Sequence, residues 1–205
     1  AAGTQVSIKA DWAPSTSVVA QKDGSWLAEI NVPAAIPGNF EAHSMTVQSG
    51  DTMIVLNDLL IGDVWLCSGQ SNMTMYMKPF KPWHYGVVNY KTEIEAANFP
   101  AIRLFTVQKD SSSVPGNKIE GIWEVCTPKS IETFSAVSYY FGRELFKNIN
   151  IPVGLVVSGY GAAACQAFTS RETLSADPLL KKEYLDPFDK GEKKGVTGQP
   201  TLIYN

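Results

Sequence analysis

The chain has few of the residues on which several common kinds of site depend. Its 205 residues include only three cysteines and two histidines. Cys67, Cys126 and Cys165 lie far apart and form no Cys-x-x-Cys pair, so the sequence predicts neither a zinc site nor a dense disulfide framework. One disulfide can still form in an oxidising compartment, and an odd count then leaves at least one thiol unpaired.

Positive charge and long apolar runs are also scarce. The 17 Lys and Arg residues are outnumbered by 20 Asp and Glu residues, for a net charge of -3, so no basic stripe is available for a phosphate backbone. No apolar run approaches the roughly 20 residues that a membrane-spanning helix requires. We therefore expect neither a nucleic-acid partner nor a membrane span.

Residues 1–61 have the pattern of short β-strands. Apolar and other residues alternate over 26–32, directly after the turn signal Lys22-Asp23-Gly24. Further strands are predicted near 6–8, 45–47 and 53–60. The sequence thus predicts a small β-rich region over 1–61, followed by a second domain over 62–205.

Residues 62–205 alternate predicted strands with predicted helices. Apolar runs predict strands near Val64, Ile102 and Val153, and an apolar stripe predicts an amphipathic helix over 136–148. Such alternation is typical of a mostly parallel α/β sheet. Three parallel strands are fewer than the usual five or so, so we expect an incomplete sheet. The segment 186–199 is predicted to be a surface loop, and 201–205 the beginning of another element.

Ser71 is the most promising candidate for chemistry. It follows the apolar run 64–67 at a predicted turn from strand to helix, where a serine is exposed at the carboxyl edge of a sheet. Free N–H groups at the beginning of a helix there would face a developing oxyanion. A second apolar run, 153–157, meets small residues in the same way. The alternative is that Ser71 only caps a helix.

Two segments carry a resemblance to a known family. The sequence IGDVWLCSGQSNM over 61–73 resembles the first conserved block of the sialate O-acetylesterases, a branch of the SGNH hydrolases. The sequence IPVGLVVS over 151–158, followed by Gly161 and Phe168, is similar to the second block of that family. The resemblance implies an SGNH-like (flavodoxin-like) three-layer α/β/α fold with a parallel sheet, preceded here by the β-rich region.

The resemblance also implies a serine acyl-enzyme mechanism that needs no metal or organic cofactor. In the family, the block-one serine attacks the ester, and its N–H and a block-two glycine N–H help to form the oxyanion hole. These roles correspond to Ser71 and Gly161. The blocks with the remaining Asn donor and the Asp-x-x-His pair have no counterpart here. We therefore expect a second polypeptide to supply the catalytic Asp and His together with the remaining strands.

The expected substrate is an acetylated sugar or glycan: O-acetylated sialic acid, or acetylated xylan as the alternative. The chain departs from the family at Gly161-Ala162-Ala163-Ala164 and at Gln166, where a Gly-Gly-Thr-Pro run and a glutamate are usual. This difference changes the pocket beside the oxyanion hole. Substrate contacts are predicted for a set of polar and aromatic residues near the two blocks: Gln70, Asn72, Trp83, His84 and Tyr160.

The sequence is compatible with several alternatives. His84 lies in an aromatic segment just after Ser71 and is a candidate for ligand contact or, less favoured, for the base, whereas His43 is expected to be packed or exposed. The chain could also be a non-catalytic carbohydrate-binding module or a structural subunit of a two-chain assembly. A secreted or periplasmic location is expected, or a lysosomal one in a eukaryote.

Overall fold

The computed structural model describes residues 2–108, 116, 118–192, 199–201, 203 and 204. Its contacts divide the chain into two compact units. The first unit is Ala1–Asp63 with Asn148–Pro152, and the second is Val64–Lys147 with Val153–Asn205. These units do not test whether residues 1–61 and 62–205 belong to independent domains, so the predicted boundary between residues 61 and 62 stays a prediction.

The first unit contains a four-stranded antiparallel sheet in the order β2-β1-β3-β4. Its strands are β1 (Gln5–Ala10), β2 (Thr16–Val19), β3 (His43–Ser49) and β4 (Thr52–Leu59). Alternate residues of β1, namely Val6, Ile8 and Ala10, are buried, which is the period of a strand with one covered face. The strands predicted near 6–8, 45–47 and 53–60 are confirmed, and β2 was not predicted.

The strand predicted over 26–32 is wrong. These residues form no regular element, and the side chains of Trp26 and Leu27 are 43% and 81% exposed. The turn before them is real, because the Ser25 N–H and hydroxyl both donate to Asp23 Oδ1, at 2.9 and 2.7 Å. Alternation alone does not make a strand, because a strand also needs a neighbour for its backbone groups.

The second unit contains a four-stranded mixed sheet in the order β5-β8-β6-β7. Its strands are β5 (Asp63–Gly69), β6 (Phe99–Thr106), β7 (Trp123–Cys126) and β8 (Val153–Gly159). β8 pairs in parallel with β6, from Ile102 opposite Val153 to Thr106 opposite Val157. The three strands predicted near Val64, Ile102 and Val153 are confirmed, and the antiparallel strand β7 was not predicted.

The helices of the described residues are short apart from one. They are α1 (Tyr90–Glu95), α2 (Pro128–Ile131), α3 (Ala136–Ile149), α4 (Arg171–Ala176), α5 (Pro178–Leu180) and α6 (Asp186–Asp189), with a 3-10 turn at Cys165–Phe168 and a π turn at Lys181–Leu185. The longest helix, α3, confirms the helix predicted over 136–148. A Cβ atom on Gly142 of α3 would lie 2.5 Å from Leu155 Cδ1, so this helix approaches β8 closely.

A hydrophobic core joins this sheet to α3 and to the segment after Ser71. Met77, Ile102, Leu104, Tyr139 and Leu155 are each at most 1% exposed. Burying a side chain of this size stabilises the fold by about 1.5–3 kcal/mol relative to leaving it exposed. The core therefore supports the carboxyl ends of the parallel strands, where the candidate site lies.

The helix predicted from Gln70 onward is wrong. The chain makes a single turn over residues 71–74, and the backbone N–H groups of Met77 and Lys78 then donate to Phe134 O and Glu132 O, at 3.3 and 3.0 Å. Because these groups pair with a distant segment, they cannot continue a helix. After β8, residues Cys165–Phe168 form only a 3-10 turn.

The end of the chain also differs from its prediction. Asp186–Asp189 is helical, although the whole of 186–199 was predicted to be a loop. Pro178 stands in the first turn of α5, where a missing N–H costs no helical hydrogen bond. Residues 193–198 lie outside the described part of the chain. Of the element predicted at 201–205, residues 201, 203 and 204 are described, and they form turns.

Candidate active site

The Ser71 turn begins where β5 ends. Two hydrogen bonds close it: the Thr74 N–H donates to Gln70 O, and the Thr74 hydroxyl donates to Ser71 O, both at 3.1 Å. Ser71 itself is exposed, and no residue within the described chain hydrogen-bonds to its hydroxyl. The hydroxyl is therefore free to meet a substrate or a base.

The Gly161 turn follows β8 and lies beside the Ser71 turn. The Tyr160 N–H donates to Gly69 O at 3.0 Å, which holds the end of β8 against the end of β5. Ala162 adopts a left-handed backbone conformation with φ 63°, which residues other than glycine, asparagine and aspartate rarely adopt. Backbone outliers of this kind cluster at active sites and ligand clamps.

Both turns open into one cavity of about 670 Å³. Ser71 and Gly161 line it, as do Thr106 and Val107 at the end of β6. The carboxyl ends of three neighbouring strands thus meet at the same cavity, which is where ligand sites lie in α/β sheets. Both turns follow strands that were predicted from the sequence, and their proposed roles stay predictions.

An aromatic loop, residues 79–86, forms another wall of the cavity. Its base is fixed because Met77 is fully buried and the Val87 N–H donates to Met77 O at 3.1 Å. The His84 ring stacks on Tyr76 with centroids 3.9 Å apart and an interplanar angle of 13°. Trp83 and Tyr85 are each 79% exposed. The loop therefore combines an anchored base with two solvent-facing rings.

The structure brings together some of the predicted site residues. Ser71, Gly161, Trp83 and His84 all line the cavity. Gln70, Asn72 and Tyr160 flank the two turns but are not among the lining residues, so their substrate contacts stay predictions. Thr74 and Ser135 also line the cavity, although neither was predicted as a site residue. The signal in the sequence for Thr74 was its position three residues after Ser71, because a threonine hydroxyl at that spacing can hydrogen-bond to the backbone of the turn.

His43 has the packed role that was expected. Its Nδ1 lies 2.8 Å from Asp11 Oδ1, and its ring meets Trp12 edge to face at 5.5 Å. The Ser44 N–H bond to the Asp11 carboxylate is the largest of the effects that hold the Asp11 pKa below its usual value, and His43 adds to it. His43 lies in the first unit, with a partner of its own.

Among the described residues, the cysteines and the side chains that could bind a metal form no second site. Cys67, Cys126 and Cys165 are all free thiols, and burial raises the pKa of Cys126 to about 11. Across the described ranges, no group of three or more His, Cys, Asp or Glu side chains is placed to hold a metal ion. In that same part of the chain, no helix is both long and apolar enough to cross a membrane.

Known proteins resemble this chain over most of its length. No family model matches it. It is 31% identical to the mouse (Mus musculus) sialate O-acetylesterase over 170 residues, which cover 77% of this chain and 30% of that protein. The human (Homo sapiens) sialate O-acetylesterase is 28% identical over 184 residues, which cover 85% of this chain and 33% of that protein. The chain thus spans about a third of the length of these curated relatives.

A solved structure is similar to the whole chain. The crystal structure of a carbohydrate acetylesterase from Xanthomonas citri matches with a TM-score of 0.78 and 26% identity, covering 100% of this chain and 41% of that chain. Each relative carries the matched part within one longer polypeptide, so the comparisons do not support the predicted second polypeptide. The chain is a homologue of the sialate O-acetylesterases over most of its own length, with a mixed α/β structure similar to that of a carbohydrate acetylesterase.

Proposed function

We propose that this chain carries the nucleophile of a carbohydrate O-acetylesterase, with Ser71 as that nucleophile. The observation that carries the proposal is the shared cavity of Ser71 and Gly161, at the ends of β5 and β8. The names of the homologues point to the same chemistry. The fold that we propose for the second unit is the SGNH-like three-layer arrangement around a parallel sheet.

The proposed reaction is acyl transfer in two steps. The base takes the proton of the Ser71 hydroxyl as Ser71 Oγ attacks the acetyl carbonyl carbon. The N–H groups of Ser71 and Gly161 donate to the oxyanion that forms. Collapse of this intermediate breaks the ester bond, and the sugar oxygen leaves with a proton from the base. Water then hydrolyses the acetyl-enzyme, releases acetate and restores the Ser71 hydroxyl.

The base is proposed to be an imidazole, paired with an aspartate, that lies outside these 205 residues. The family resemblance implies such a pair, and His43 already bonds to Asp11 in the first unit. His84 is the other candidate, because it lines the same cavity as Ser71. The stacking of His84 on Tyr76 favours a role in the cavity wall instead.

The proposed substrate class is an acetylated sugar, either O-acetylated sialic acid or an acetylated glycan such as xylan. The aromatic loop supports this choice, since the exposed rings of Trp83 and Tyr85 can cover an apolar sugar face. The same rings would serve a non-catalytic carbohydrate-binding chain, which is the second candidate function. A secreted, periplasmic or lysosomal location remains part of the proposal.

Covalent labelling of the full-length protein separates the two candidates. A fluorophosphonate probe should label Ser71, and Ser71→Ala should abolish labelling and lower turnover of p-nitrophenyl acetate by roughly 10⁴-fold or more. Ser68→Ala is the matched control, because Ser68 is an exposed serine on the same strand end and should leave both readings unchanged. If Ser71→Ala keeps more than a tenth of the activity, the assignment of the nucleophile is rejected.

The role of His84 is tested separately in the same protein. If His84 belongs only to the cavity wall, His84→Ala should raise KM while fluorophosphonate labelling of Ser71 continues. If His84 is the base, the variant should lose labelling and turnover together, by a factor on the order of 10⁴. That second result would replace the proposed external imidazole with His84.

A further inference from the structure

Thr74 contacts both turns of the candidate site with one short side chain. We propose that Thr74 is a positioning residue that sets the separation between the Ser71 turn and the Gly159–Gly161 turn. This inference rests on the proposed function, because the two turns carry the proposed nucleophile and the proposed oxyanion donors. No catalytic contact is assigned to Thr74 itself.

The backbone and hydroxyl of Thr74 hold the Ser71 turn. The Thr74 N–H donates to Gln70 O at 3.1 Å, and the Thr74 hydroxyl donates to Ser71 O at 3.1 Å. In a trans peptide the C=O and the next N–H point in opposite directions. Because the Gln70 C=O accepts the Thr74 N–H inside the turn, the Ser71 N–H of the same peptide points out of the turn. In that direction it is free to donate to an oxyanion.

The methyl group of Thr74 faces the other turn. A Cβ atom added to Gly159 would lie 2.7 Å from Thr74 Cγ2 and 3.3 Å from Gly69 O. A Cβ atom on Gly161 would lie 3.7 Å from Thr74 Oγ1, which is an ordinary contact. The tight approach is therefore at Gly159, where the absence of a side chain lets the methyl group pack against the backbone.

The two ends of the side chain act together because a threonine side chain is stiff at χ1. When the hydroxyl bonds to Ser71 O, the direction of the methyl group is also fixed. The contact at Gly159 then sets how close the end of β8 comes to the Ser71 turn. In catalysis, a displacement of about 1 Å can cost about 100-fold in rate, so a positioning role should appear in kcat.

The test is a double-mutant cycle between Thr74 and Gly159 in the full-length protein. Gly159→Ala should lower kcat by about 100-fold, because its Cβ would force the turns apart. Thr74→Ser removes only the methyl group, so it should restore at least about 10-fold of that loss when combined with Gly159→Ala. Thr74→Val keeps the methyl group and replaces the hydroxyl with a second methyl group, and it should lower kcat by about 10-fold with KM nearly unchanged.

Unfolding and kinetic measurements together separate the outcomes. Urea unfolding should show that Thr74→Val keeps its fold, because valine and threonine are nearly isosteric. This variant therefore tests the positioning role even if Gly159→Ala does not fold. Additive losses in the cycle, an unchanged kcat in Thr74→Val, or changes confined to KM would each overturn the positioning role. Ser71→Ala is the control for the proposed function. If this variant stays active, the assignment of Ser71 as the nucleophile is wrong. If it is inactive and the losses in the cycle are additive, only the role of Thr74 is rejected.

Discussion

The two four-stranded sheets of this chain differ in how far their side chains are covered. In the second sheet, Ile102 on β6 and Leu155 on β8 are completely buried. In the first sheet, Met53 and Ile54 on β4 are 61% and 55% exposed, although they are neighbours that point to opposite faces. Backbone pairing alone is thus enough to form a strand. A strand whose two faces are both covered by a core also has a firmly fixed end, and such an end can present reactive groups.

The same contrast continues inside the second sheet. β5 lies at the edge of the described strand order, and its residues Val64 and Leu66 are 66% and 70% exposed. Its carboxyl end is nevertheless held by the Tyr160 N–H bond to Gly69 O. The position of Ser71 therefore depends on β8 and its turn more than on the faces of β5.

The largest expected effect tests this difference in covering. Leu155→Ala should lower the free energy of unfolding by about 2–5 kcal/mol, because it opens a cavity in the core. Ile54→Ala on the exposed strand β4 is the matched control and should cost less than about 1 kcal/mol. Urea unfolding of the full-length protein measures both, and equal costs would show that β4 is covered as completely as β8.

A second effect concerns how closely α3 approaches the second sheet. Gly142→Ala should destabilise the protein by about 1–3 kcal/mol, since its Cβ would lie 2.5 Å from Leu155 Cδ1. Helix propensity acts in the opposite direction by about 1 kcal/mol, so a net gain in stability would contradict the close packing. Lys147→Ala, on the same helix with its side chain half exposed, is the control and should be nearly neutral.

A third prediction uses thiols as reporters of the second sheet. Burial raises the pKa of Cys126 on β7 to about 11, so little reactive thiolate is present at pH 8. Native protein should react with iodoacetamide at the exposed Cys165 at least about 10-fold faster than at Cys126, as mass spectrometry of the labelled peptides can show. Comparable rates in the native state would indicate that β7 is not covered.

The same pKa gives a dependence of stability on pH. The ordinary thiol pKa is 9.0 and the folded value lies above it, so the unfolded state loses its proton first as the pH rises. The contribution of Cys126 is therefore complete below about pH 9 and decreases towards about pH 11. Cys126→Ala should remove this part of the alkaline loss of stability.

Elements with a strong internal pattern could be predicted from the sequence. The three parallel strands and α3 were predicted because their apolar residues recur with the period of the element that they form. The two turns of the site were predicted because small polar residues follow two of these strands. The edge at which they meet then follows from parallel pairing.

The features that the sequence could not predict depend on distant partners. Residues 26–32 alternate like a strand but have no neighbouring strand, whereas β7 is only four residues long and forms because β6 offers it an edge. The expected helix after Gln70 fails for the same reason, since the Met77 N–H pairs with Phe134 O. The contact of Thr74 with Gly159 joins segments 85 residues apart in sequence.

The smallest expected effect concerns backbone strain, which also differs between the two units. In the first unit the left-handed residues other than glycine are Asp58 and Asn150, whose short polar side chains tolerate that conformation. In the second unit Ala162, beside the cavity, has φ 63°, although an alanine side chain does not tolerate that conformation in the same way. Relief of this strain by Ala162→Gly should be worth about 1–2 kcal/mol, and the greater freedom of glycine in the unfolded chain offsets about 0.5–1 kcal/mol of it.

Ala162→Gly should therefore raise the free energy of unfolding by up to about 1.5 kcal/mol in urea titrations. Ala163→Gly is the matched control in the same turn, because Ala163 is buried and has no left-handed backbone, and it should instead lower the stability. If the turn uses its strain to hold the Gly161 N–H in place, Ala162→Gly should also lower kcat several-fold while it stabilises the fold. Loss of stability in Ala162→Gly would show that the turn is not strained. The two units would then differ in how well their side chains are packed but not in backbone strain.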